Sequence, residues 1–97
     1  MKTLIDILHQ GGYSCVMRNH GETRTFKQRG VADLWALCQD NENFLNEAQI
    51  ADKVVGKGAA ALMIHGGIKE VYADVISTPA LTLLQSHGIR VTFFTET

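Results

Sequence analysis

One stretch of the chain gathers side chains able to bind or react: Asp52-Lys53-Val54-Val55-Gly56-Lys57-Gly58. Two ammonium groups beside glycine suit an anion, because glycine lets a ligand come close to the backbone. A second cluster, Ser77-Thr78-Pro79, adds hydroxyls where proline favours a helix start. Lys53 or Lys57 could also serve as a nucleophile, which requires burial or a neighbouring cation to lower a lysine pKa. Four histidines and two cysteines, Cys15 and Cys38, raise the question of a metal. The cysteines make neither a zinc set nor a disulfide framework.

The elements that must position these groups follow from pattern. Asp52 fits an N-cap, and Lys53 to His65 fits a helix whose start is nearly free of bulk. Gly66 and Gly67 stop it, with Gly66 expected at positive φ. Glu70 to Ile76 has the β-branched and aromatic content of a strand covered on both faces. Thr78 is the expected cap of a helix running from Pro79 to His87, and Arg90 to Thr95 is a strand.

Upstream, Thr3 to Gln10 is helical, Tyr13 to Asn19 and Glu22 to Gln28 form a hairpin around His20-Gly21, and Val31 to Cys38 is helical. The segment 39–49, with Asp40, Glu42 and Glu47, is a loop or frayed helix pinned by Phe44 and Leu45. The element order is α-β-β-α-α-β-α-β. The helix starts at Asp52–Lys57 and Thr78–Pro79 then meet at the carboxyl edge of strand 70–76. Ligands favour that edge in open α/β sheets. Asp52, Lys53, Gly56, Lys57, Ser77 and Thr78 together form a candidate anion pocket. The competing reading is close packing at the glycines and solvated lysines.

His9, His65 and His87 each stand at a helix end just before glycine. There they can complement the dipole, and all three are expected at the edge opposite the anion pocket. Asp74 is a carboxylate in an otherwise apolar strand, facing either a solvated sheet end or a basic residue. Arg18, Arg24, Lys27 and Arg29 form either a basic patch or, in the favoured reading, the charged defence of an edge strand.

At 97 residues the chain is one small domain, residues 1–97, with 45% hydrophobic and 20% charged residues and a net charge of −1. That balance gives no footprint for nucleic acid or anionic lipid. No stretch approaches the ~20 apolar residues of a membrane span, and the first dozen residues lack a signal-peptide pattern. A reduced, cytoplasmic protein is the expectation.

The element order and the segment ADKVVGKGAAALMIHGGIKEVYADVIS resemble a small, uncharacterised bacterial family of unknown function with a cytidine-deaminase-like fold. The resemblance is most specific over Asp52–Ser77 and topological elsewhere. It implies a three-layer α/β/α sandwich with a four-stranded mixed sheet in order 2-1-3-4. Deaminases of that fold place His-x-Glu or Cys-x-Glu at one helix start and Pro-Cys-x-x-Cys at the next, holding zinc. Here the two positions hold Asp52 to Lys57 and Ser77 to Thr82, with no His, Cys or Glu. Zinc-dependent deamination is therefore not expected, nor any metal or other cofactor. The expected partner is an anionic, nucleotide-like small molecule. The alternative is a structural homo-oligomer, a dimer, without a small ligand.

Overall fold

The computed structural model describes residues 1–28, 30–41 and 43–97. Arg29, assigned above to the hairpin's basic set, and Glu42 of the polar loop lie outside the described residues. Along the chain run α1 (Lys2–Gln10), β1 (Cys15–Asn19), β2 (Glu22–Phe26), α2 (Ala32–Gln39), β3 (Gln49–Val55), α3 (Lys57–Gly66), β4 (Glu70–Ile76), α4 (Thr78–Ser86) and β5 (Arg90–Glu96).

The strands form one mixed sheet, β2-β1-β3-β4-β5. β1 is antiparallel to both β2 and β3, while β3, β4 and β5 are parallel. The sheet thus has five strands, not the four expected. β3 is the addition, and it occupies the centre. It displaces the helix expected from Lys53, so that Asp52 is a strand residue rather than an N-cap. Its sequence, QIADKVV, hides the strand: Ile50 and Ala51 are both fully buried because a central strand is covered on both faces. No alternation appears, and Asp52-Lys53 interrupts the apolar run.

Helices cover both faces. Leu4 and Leu8 of α1 pack on Val16, Ala51 and Tyr72. On the other face Leu34 of α2, Ala59, Ala60 and Met63 of α3, and Ala80, Leu81 and Leu84 of α4 pack on Cys15, Met17, Ile50, Val71 and Ala73. The alanines at Ala59 and Ala60 bring α3 close to the sheet. Fully burying a Leu or Met side chain contributes about 1.5–3 kcal/mol, so this layer dominates the stability.

The hairpin turns through His20 and Gly21, at φ 52° and 76°, the two positive angles of a type I′ turn. β2 is an edge strand carrying charge, as the sequence implied. Its one cation, Arg24, is committed within the chain. Arg24 pairs with Glu22 at 2.7 Å and lies 4.0 Å from the Phe44 ring centre. Arg18, on β1, donates to Gln49, which donates to Glu70. Phe44 and Leu45 are buried and pin the loop, and Asn19 donates to the carbonyls of Phe44 and Asn46.

Two helix ends differ from expectation. Gly66 is the last residue of α3, and the left-handed cap is Gly67, at φ 84°. Gly66 is small for a different reason: a Cβ there would lie 2.6 Å from Cδ1 of Leu45. At α4 the cap is Ser77 rather than Thr78, its hydroxyl accepting from the Ala80 N–H at 3.3 Å.

The parallel strands share a crease. β3 pairs with β4 at Asp52–Ala73 and again at Val54–Val75, but not at Lys53–Asp74, and the β4–β5 ladder skips Phe94 in the same row. Asp52 Oδ1 accepts from the Val54 N–H at 3.4 Å. Facing directions change across this row. Ile50 and Val55 are five residues apart yet lie in one core cluster, while Val54 is 65% exposed. In an unbroken strand an odd spacing would put them on opposite faces.

Candidate functional site

The antiparallel pairing of β1 with β3 sets Cys15 directly opposite Asp52. Beside this pair opens a cleft of about 580 Å³. Cys15, Met17 and Leu34 give it an apolar floor, and Asp33, Asp52, Lys27 and Lys53 bring charge of both signs. Ser14, also in the wall, donates its hydroxyl to the carbonyls of Phe26 and Gln28 and so fixes the strand ends that frame the opening. The volume falls within the usual range for small-molecule sites.

Asp52 is the unusual group here. Burial pushes its carboxyl from 3.8 up to about 7, the backbone N–H groups of Val54 and Lys53 oppose the shift, and the charge of Asp74 adds to it. A carboxyl that titrates near neutrality can both donate and accept a hydrogen bond. Cys15 is buried, and its thiol is pushed far above the ordinary range by that burial and then by Asp52 and Asp33. It is a neutral floor residue, not a thiolate nucleophile.

The six residues singled out from sequence divide into two groups. Asp52 and Lys53 line the cleft. Gly56 is the extended N-cap of α3 and Lys57 its first residue, exposed at the carboxyl end of β3. Ser77 and Thr78 begin α4 at the carboxyl end of β4, and the Ser77 N–H donates to the Val55 carbonyl at 3.1 Å. The two helix starts are therefore side by side, as expected. Ser77 and Thr78, however, do not line the cleft. Thr78 donates its hydroxyl to Glu96 at 2.7 Å and its N–H to the Thr97 carbonyl at 3.2 Å. A carboxylate of the chain itself already stands at that helix start. Lys53 and Lys57 are exposed, so neither has the burial that a lysine nucleophile would need.

His9 is not at the far edge. The chain leaves α1 directly into β1, and β1 runs antiparallel to β3, so the end of α1 arrives at the carboxyl edge of β3 and β4. His65 and His87 do lie at the ends of α3 and α4, the opposite edge. His9 Nε2 lies 2.7 Å from Asp74 Oδ1, and the Tyr72 hydroxyl donates to the same oxygen at 2.7 Å. This answers the question of Asp74: it is held by a histidine and a phenol. Burial, then the hydrogen bond to Asp74, pushes Tyr72 up to about 12.

Ser14, Asp33 and Leu34 were not singled out from the sequence, and Cys15 and Lys27 were read there as a question of metal binding and as part of the hairpin's basic set rather than as cleft residues. The signal that joins them is the β1–β3 ladder, which cannot be drawn until β3 is recognised. None of the helix starts, Val31-Ala32-Asp33, Gly56-Lys57-Gly58 and Ser77-Thr78-Pro79, holds a histidine or cysteine. No group of three or more His, Cys, Asp or Glu able to hold a metal occurs among the described residues, and no helix there is long and apolar enough to cross a membrane.

Comparison with solved structures places this fold. A DUF1893 family protein of Thermotoga maritima, TM1506, is 24% identical and superposes with a TM-score of 0.84 over 98% of this chain and 64% of its own. A diaminohydroxyphosphoribosylaminopyrimidine deaminase / 5-amino-6-(5-phosphoribosylamino)uracil reductase of the same organism is 18% identical, with a TM-score of 0.57 over 97% of this chain and 35% of its own. The chain spans less than two thirds of the length of either. These likenesses establish the fold, a deaminase-like α/β architecture, and the zinc motifs of deaminases are missing from the sequence. No curated protein matches the chain. The sequence matches the domain of unknown function DUF1893 (TM1506) from residue 3 to residue 97, so the chain belongs to the DUF1893 family.

Proposed function

We propose that this protein is a binding module for a small, anionic, nucleotide-like molecule held in the cleft beside Asp52. The observation that supports this is the pairing of an apolar floor with a carboxyl that titrates near neutrality. A flat heterocycle fits over Cys15, Met17 and Leu34. Asp52 matches a ring edge that offers both an N–H and an acceptor. The anionic end points to Lys53 and onward to Lys57 and the Gly56 start of α3, where a negative charge would offset the repulsion between a lysine and the helix dipole. Ser77 and Thr78 are left out of this reading, because they cap α4 and hold Glu96.

The test is a thermal-shift series with nucleosides, nucleotides and inorganic phosphate on the wild type, Asp52→Asn, Lys53→Ala and Lys57→Ala. A ligand that binds only the folded state raises Tm. Nucleotide is expected to raise Tm most in the wild type. The lysine variants should lose the phosphate-dependent part of the gain, with the difference shrinking in high chloride. Asp52→Asn should lose the part that nucleoside alone provides. Identical responses in all four proteins would remove the cleft from consideration.

A further inference from the structure

A second arrangement of charge stands at the amino ends of β3, β4 and β5, at the edge of the sheet opposite the starts of α3 and α4. Strand register puts Arg18 of β1, Gln49 of β3, Glu70 of β4 and Arg90 of β5 in one row. The row has a direction. A guanidinium can only donate, so Arg18 takes the side-chain oxygen of Gln49 at 2.8 Å. The Gln49 amide nitrogen is left to donate to Glu70 Oε1 at 2.7 Å. Glu70 is thereby held toward β3, and it makes no ion pair with Arg90 although the two stand opposite each other in register. Among the described residues, the second Glu70 oxygen and the side chains of Lys69 and Arg90 have no partner. All three residues line one cleft of about 650 Å³, with the buried Ile89 beneath and Gln85 beside them. Its frame is tied across three strand starts: the Lys69 N–H donates to the Ala48 carbonyl at 3.0 Å and the Arg90 N–H to the Lys69 carbonyl at 3.3 Å.

We propose that this cleft binds an acidic α-amino acid, a molecule with two carboxylates and one ammonium. Lys69 and Arg90 supply one cation for each carboxylate, and a guanidinium can take its carboxylate through two parallel hydrogen bonds. The open oxygen of Glu70 accepts from the ammonium, a charge-assisted hydrogen bond. The ligand's single net negative charge balances the single net positive charge of Lys69, Arg90 and Glu70 together. Other small ions fit less well. Phosphate or a plain dicarboxylate would bring negative charge against Glu70, which Gln49 keeps from turning away. A simple amine would meet two cations. Both cations are exposed, so the pairing is screened and the affinity falls as salt rises. The inference is independent of the ligand reading at Asp52, since the two clefts share no residue.

Titration of the full chain with L-glutamate, glutarate and inorganic phosphate, followed by amide NMR shifts, tests it. The shifts report the site, the affinity and the fold of each variant together. Glutamate should move the amides of Lys69, Glu70, Gln85 and Arg90. It should bind the wild type about fivefold or more tighter than glutarate, which lacks only the ammonium. Lys69→Gln and Arg90→Gln, both at exposed positions, should each weaken glutamate severalfold. Glu70→Gln keeps an oxygen for Gln49 and removes the charge. In that variant glutamate and glutarate should bind alike, and glutarate should bind more tightly than it does to the wild type. A merely structural Glu70 would not produce that gain. Glutarate or phosphate binding the wild type as tightly as glutamate overturns the proposal. So does a preference for glutamate that survives Glu70→Gln, a set of shifts centred on Ser14, Asp52 and Lys53, or a wild type that ignores millimolar glutamate.

Discussion

Replacing Asp52 with Asn should make the protein less sensitive to rising pH. In the unfolded chain this carboxyl titrates near 3.8, and in the folded protein near 7. Between those values the native state keeps a proton that the unfolded state has released. The native state therefore binds more protons, and stability falls as pH rises. Below about pH 4 both states are protonated and there is no penalty; above about pH 7 the penalty is complete. A shift of this size has a ceiling of about 4 kcal/mol at 1.36 kcal/mol per unit. The carboxyl lines an open cleft and is partly screened by water, so roughly 2 kcal/mol is the expected effect. Asn keeps an oxygen for the Val54 N–H and removes only the titration. Urea unfolding of the wild type and Asp52→Asn, at about pH 4.5 and about pH 8, reads the difference. The variant should gain on the wild type by that amount at the higher pH and scarcely at all at the lower. Parallel stabilities at both values would show that Asp52 is ordinary, and the chemistry assigned to the cleft would lose its basis.

Gly66→Ala should cost about 1–3 kcal/mol by overpacking against Leu45, and a Leu45→Ala background should recover part of that loss; full tolerance of Gly66→Ala would contradict the contact. His20→Ala should leave Tm nearly unchanged, because the ring is exposed and alanine is strained alike at positive φ. His20→Gly should raise stability by about 0.5 kcal/mol, and a loss with glycine would refute the turn geometry. Tyr72→Phe should cost about 1 kcal/mol through the lost hydrogen bond to Asp74. That cost should vanish in an Asp74→Ala background, where the acceptor is gone, which denaturant titration can measure.

The run from β4 to β5 was legible in the sequence because each element is pure in type and bounded by Gly, Ser or Pro. The hairpin was legible because His20-Gly21 sits between two strand-like runs. β3 was not, and two properties of one segment explain it. Consecutive buried residues, Ile50 and Ala51, erase the two-residue period, and an Asp before an alanine-rich run imitates a helix cap. The helix after it was real but began at Lys57, so the beginning was misplaced while the alanine face was not. In α2 the spacing of apolar residues does not tell the inward face either: Leu34 is buried, while Val31 and Trp35 are exposed. Asp52 and Lys53 were singled out as helix-start residues, and they stand together in a cleft wall instead. Their neighbours across the cleft come from β1 and α2, and only long-range strand pairing brings these to one place.

The crease across Lys53, Asp74 and Phe94 also guards the assembly of the sheet against slippage. In an unbroken buried strand, many one-step slips still bury something apolar, and a growing sheet can be trapped in one of them. Here β3 and β4 each present apolar residues to the same core in two groups an odd number of positions apart, Ile50 and Val55 in β3 and Val71 and Ile76 in β4. A slip by one or two residues that satisfies the group before the crease misplaces the group after it. The strands therefore fit in one alignment, which also fixes where α3 and α4 begin. Levelling the crease would free the central strands to settle in several alignments, and the first sign would be heterogeneous refolding rather than a lower melting temperature.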